Sequence, residues 1–151
     1  MRIMTLTAAC LIVGCTLLAQ AQTNSNAAEQ EFFVAVNRAR QAQGLPALRW
    51  NDALAAAARR HAGVMAQRGT AEHGFAGEPG LASRATQAGA RFVSLSENVA
   101  LGAGAEAIQA EFLHSPNHRA NILDSDMDSV GIGVVERRGQ FFAVEDFSKA
   151  K

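Results

Sequence analysis

Ser115-Pro116-Asn117-His118-Arg119-Ala120-Asn121-Ile122-Leu123 is the stretch on which the reading of this chain turns. Pro116 cannot sit in the interior of a regular helix, so the helix predicted over 105–114 stops before it and His118 stands on a segment that starts afresh. Upstream lie Ser96-Glu97-Asn98-Val99-Ala100 and Glu72-His73. Three separated segments thus each offer an imidazole or a carboxylate, and folding can gather them into one polar, metal-capable cleft.

In the surrounding chain, helices largely precede strands. Phe32, Phe33, Val36, Ala39 and Arg40 fall on one stripe of a helix that begins at Glu29 and ends at Gly44. Asn51 is placed to cap a second helix, whose narrow face of Leu54, Ala57, Ala58, His61, Met65 and Ala66 runs to Gly69. Glycine and Pro79 make 70–80 a loop, which puts Glu72 and His73 outside regular structure. A short helix over 81–88 leads to an extended segment, Arg91 to Leu95, running up to Glu97. In the helix over 105–114, Ile108, Phe112 and Leu113 face inward. Val130 to Val135 and Phe141 to Val144 flank Arg137-Arg138-Gly139 as two antiparallel strands and their turn. With few strand-helix-strand alternations, the pattern predicts an α+β layered domain.

At 151 residues the chain is long enough for one core and too short for two ordinary domains. Lys+Arg and Asp+Glu balance at 14 each, so no basic field exists to hold a polyanion and nucleic acid is not an expected partner. Arg2 precedes an apolar run from Ile3 to Leu18, and Ala19-Gln20-Ala21 supplies the small residues that a signal peptidase reads. The run is shorter than the about 20 apolar residues of a membrane span and is broken by three threonines. Residues 1–21 are therefore expected to be a cleaved export signal, 22–28 a polar leader and 29–150 the domain, with no transmembrane span in the mature chain. Both cysteines, Cys10 and Cys15, fall in the signal, so no disulfide staples the domain. Ile12-Val13-Gly14-Cys15 resembles a lipobox, and lipid anchoring at Cys15 is the alternative to release into the periplasm or medium.

The four histidines sort by setting. His61, on the inner face of the second helix, reads as a buried imidazole satisfied by a hydrogen bond. His114 and His118 have i, i+4 spacing, but the glutamate of an H-E-x-x-H site is missing and Pro116 spoils the alignment. Asp124 to Asp128 is a solvated acidic turn, since a calcium loop would need glycine at Ser129 and glutamate at Val135. No G-x-S-x-G elbow, mature cysteine nucleophile or phosphate-cradling loop is present. What remains is His73, Glu97 and His118, whose N and O donors suit zinc or a similar divalent cation. Ile122 and Leu123 read as core anchors, Asn121 as a tie to backbone groups, and Arg119 as the partner of an acidic neighbour.

The order of short motifs is more specific than any one of them. Asn37-Arg38-x-Arg40, Trp50-Asn51-x-x-Leu54, His73, Glu97-Asn98-Val99-Ala100, the run 115–123 and Val130-Gly131-Ile132-Gly133 follow one another as in the CAP superfamily. That family comprises cysteine-rich secretory, antigen 5 and pathogenesis-related 1 proteins, and the chain resembles its compact bacterial SCP-like, YkwD-type branch over roughly 29–148. The resemblance implies a three-layer α-β-α sandwich with a mainly antiparallel central sheet, and a cleft lined in many members by two histidines and two glutamates. His73, Glu97 and His118 match three of those positions. The fourth, counted three residues beyond Phe112, is Ser115, leaving Glu72, Glu111 or Glu145 as substitutes.

The export signal, the resemblance and the lack of a nucleophile point to a secreted, non-enzymatic domain, expected to be a monomer. Its cleft would take a divalent metal or an envelope, lipid or protein ligand. The alternative is a metal-dependent, peptidase-like hydrolase in which His73 and His118 hold the ion and Glu97 serves an activated water. A pure interaction scaffold is the third option, with exposed apolar patches as its sign.

Overall fold

The computed structural model describes residues 27–151; the expected signal segment and both cysteines lie outside them. Helix α1 spans 27–42, so the last two residues of the expected leader are already helical, and Ala28 is buried in the core. The helix stops where sequence places the stop: Gly44 adopts φ +70°, and the amides of Gly44 and Leu45 return to the carbonyls of Gln41 and Arg40, both at 3.0 Å.

Strand β1 (Arg49–Trp50) leads into α2 (Asp52–Arg68), capped by Asn51, whose side chain accepts from the amides of Ala53 and Leu54. Helix α3 (Leu81–Gln87) follows the loop. Strand β2 (Phe92–Gly102) is longer than the extended segment expected, so Glu97 and Asn98 lie within a strand instead of at its end. Helix α4 (Ala105–His114) stops at Ser115, and α5 (Pro116–Ile122) starts with proline in its first turn, where a missing amide hydrogen costs nothing. Strands β3 (Ser129–Arg137) and β4 (Gln140–Ala150) close the chain. Their two-residue turn has Arg138 and Gly139 both at positive φ, 54° and 76°, the geometry that matches strand twist.

The sheet order is β1-β3-β4-β2. It is mixed, because β1 runs parallel to β3 for two residue pairs while β3, β4 and β2 are antiparallel. Side chains alternate across it. Val99, Phe142 and Val144 pack with Ala58, Ala62 and Met65 of α2 on one face. Ala143 and Phe147 pack with Phe32, Val36, Ile108 and Phe112 on the other. The result is a three-layer α-β-α sandwich, with α2 and α3 on one side and α1, α4 and α5 on the other.

Two glycines set the spacing on the α2 side. A Cβ on Gly131 would lie 2.1 Å from the backbone nitrogen of Ala55, and one on Gly133 2.1 Å from that of Arg59; α2 rests directly on β3. On the other side Arg40, buried in α1, donates to the carbonyls of Ile122 at 2.9 Å and Asp124 at 2.7 Å. That guanidinium pins the end of α5, and with it the segment carrying His118.

Candidate functional site

Strand β2 is an outer strand of the sheet, and the polar site straddles it. Glu97, two residues from Val99, points to the α2 face, while Asn98 points to the other. His73 approaches Glu97 from the 70–80 loop, with its Nδ1 2.9 Å from Glu97 Oε1. An ionised carboxylate only accepts, so Nδ1 carries the proton and Nε2 is left free on a side chain that is 64% exposed. The second oxygen of Glu97 accepts from the guanidinium of Arg84. Both oxygens of this buried carboxylate are therefore engaged.

His61 lies beneath the pair and is fully buried. The sequence suggests one hydrogen bond for it, and the fold supplies two: Nδ1 is 2.7 Å from Glu78 Oε1 and Nε2 2.9 Å from the carbonyl oxygen of Glu72. Asp146 is the cross-strand partner of Glu97. Burial, and then the charge of Glu97, raises its carboxyl well above the usual carboxylate range, against the opposing pull of Arg84. That shift favours the protonated form, so the two facing acids need not both be charged.

His118 belongs to the far side of β2. Its ring stands edge-on to Phe112, with centroids 5.0 Å apart, and its carbonyl accepts from Asn98 Nδ2 at 3.2 Å. Its Nδ1 is buried and has no partner among the described residues. Burial first and the charge of His73 second lower its pKa, while Glu111 opposes them, so the two imidazoles lie within electrostatic reach of each other. Asn98 also donates to Glu145 Oε2 at 3.0 Å. Asn121, read as a tie to backbone groups, donates to the Glu97 carbonyl at 3.2 Å and to Asn98 Oδ1 at 2.8 Å.

The fold thus joins His73 to Glu97 directly, while the His118 segment is tied to β2 through Asn98 and Asn121. His114 is exposed and bonds Ala110 of its own helix. Arg119 is exposed, and the acidic partner expected for it is not found among the described residues. Ser115 marks the junction of α4 and α5. Of the three substitutes, Glu72 gives only its carbonyl to His61, Glu111 acts on His118 through charge, and Glu145 is buried on the opposite face. The carboxylate that sequence reasoning missed is Glu78. It faces His61, and its second oxygen is buried without a partner among the described residues. Among the described residues no group of three or more His, Cys, Asp and Glu side chains is arranged to hold a metal ion. As arranged, two imidazoles and a carboxylate already paired with a guanidinium do not fit a resident three-ligand zinc centre.

A concavity lies away from these residues. A groove of about 640 Å³ runs between α1 and α4, walled by Val34, Ala35, Ala39, Ala110 and Leu113 and rimmed by Glu31, Arg38 and Glu106. In its floor is Gln109, only 4% exposed, with neither the oxygen nor the nitrogen of its amide partnered among the described residues.

The architecture has relatives. An extracellular SCP-domain protein of Bacillus anthracis superposes with a TM-score of 0.81 at 24% identity, over 87% of this chain and 43% of that one. An outer surface protein of Borrelia burgdorferi gives 0.75 at 21% identity, over 82% and 93%. A cysteine-rich secretory protein of Staphylococcus aureus gives 0.67 at 20% identity, over 83% and 39%. The chain therefore spans less than half the length of the first and the third. No curated protein is significantly similar in sequence. No helix of the described residues is long and apolar enough to cross a membrane. Residues 33–147 match the family model CAP, the cysteine-rich secretory protein family, and the chain belongs to that family.

Proposed function

We propose that this chain is an exported, non-enzymatic binding domain, and that its ligand is amphipathic, with an apolar body in the α1/α4 groove and a neutral polar group on Gln109. The observation that carries this reading is the pair of unmade hydrogen bonds at Gln109. Leaving a buried polar group unsatisfied costs about 1–3 kcal/mol. A ligand that offers one donor and one acceptor, as a carboxamide does, recovers both bonds, and the groove has the size and apolar lining of a small-molecule site. Export is supported by the company the fold keeps, since the relatives are described as extracellular, secretory or outer-surface proteins.

The state of Glu97 supports binding over metal-assisted hydrolysis. A general base must reach its substrate water, and the Glu97 side chain is only 4% exposed and already holds His73 and Arg84. We read His73, Glu97 and His118 as a structural wall apart from the groove; a divalent ion reaching it would meet the two imidazoles. Displacement of the fluorescent cis-parinaric acid by hexadecanamide tests the groove. Saturable one-to-one binding is expected, weakened at least about tenfold by filling the groove with Ala39→Trp and unchanged by His73→Ala. No saturable binding, or binding indifferent to Ala39→Trp, would sink the proposal.

A further inference from the structure

We infer that Arg84 is the built-in cation of the polar cleft, neutralising Glu97 and fixing His73 without a metal ion. This goes beyond the groove and stands or falls separately from it. Arg84 projects from α3 and is 3% exposed. One terminal nitrogen donates to Glu97; the other donates to the carbonyls of His73 at 3.3 Å and Pro79 at 3.2 Å. A single planar fork thus ties both ends of the 70–80 loop to β2, a task that the point charge of lysine does not reproduce.

The consequence follows from charge. A buried carboxylate must be paired, and here the pairing is internal, with side chains of Arg84 and Glu97 each 4% exposed. A divalent ion seeking Glu97 would have to sit beside a guanidinium that cannot lose its proton. Glu97 is left to orient His73 as a hydrogen-bonding carboxylate does, fixing the tautomer with Nε2 outward. Arg84 is accordingly a positioning residue for His73.

Zinc titration of the purified protein by calorimetry, with His73 followed by ¹⁵N NMR, tests this. Protein dialysed against EDTA should keep its hydrogen-bonded His73 Nδ1–H signal. Arg84→Met should bind zinc at least about tenfold more tightly than wild type, and Arg84→Met/Glu97→Gln should lose that gain. If Arg84→Met does not fold, the EDTA experiment on wild type decides alone. Stoichiometric metal retained through purification, loss of the His73 signal in EDTA, or a folded Arg84→Met that binds zinc no more tightly than wild type overturns the inference.

Discussion

The two faces of the sheet use small residues to opposite ends. On the α2 face, Gly131 and Gly133 lie under Ala55, Ala58 and Arg59, and Ala55, Ala57, Ala58, Ala62 and Ala66 of α2 are buried. Small residue meets small residue, and helix and strand come into backbone contact. On the other face Phe32, Phe112 and Phe147 fill the space between helices and sheet. There Ala35, Ala39 and Ala110 have each other across a gap, and the gap is the groove. A small side chain closes a structure when backbone lies opposite, and opens one when large neighbours hold the elements apart.

The largest expected effect breaks the tight face. Gly133→Ala places a methyl 2.1 Å from a backbone nitrogen and 2.3 Å from a backbone carbonyl carbon, so α2 must move as a body. Overpacking costs about 1–3 kcal/mol where side chains can yield; here none can, and a loss above that range, or failure to fold, is expected in urea melts. Ala35→Leu, which only fills the groove, should stay within about 0.5 kcal/mol of wild type. Equal melting of the two variants would abolish the distinction between the faces.

The same contrast explains what sequence could reveal. Gly44, Gly69, Asn51 and Arg138-Gly139 answer local backbone demands, and each was legible because the demand lies within a few residues. The motif order gave the fold and, through resemblance, a cleft of His73, Glu97 and His118; the histidine expected to bond Glu97 was His118, and the one that does is His73. Glu97 inside a strand was not legible, since its countercharge comes from Arg84 on another element. Gln109 carries no signal at all in the sequence: a polar residue beside Ile108 looks like the edge of a helix face until the bonds it fails to make are seen.

The next effect is on the groove side of the sheet, where Glu145 is completely buried. Burial pushes its carboxyl up to about 8, with the Asn98 bond pulling the other way. In the unfolded chain it ionises from about pH 4.5, while the native state keeps the proton. Stability from this group is therefore intact below pH 4.5, declines as pH rises toward 8, and stays reduced above. Glu145→Gln keeps an oxygen for Asn98 and has nothing to ionise. It should stabilise by up to about 5 kcal/mol at pH 8.5 and not at pH 4. Denaturant midpoints at the two pH values check this, and a gain equal at both would assign the effect to packing instead of charge.

The smallest effect is a titration that joins the two sides of β2. His118 is pushed below 6.5 by burial and then by His73, with Glu111 opposing, so its NMR midpoint should lie under that reference value. His73→Ala removes the second cause and should raise the midpoint; Glu111→Gln removes the opposition and should lower it. Through the histidine pair the α2-side loop and the α5-side helix sense each other by charge. A His118 midpoint that ignores His73 would mean that the edge strand separates two independent surfaces, and that the cleft inferred from three sequence segments is two sites instead of one.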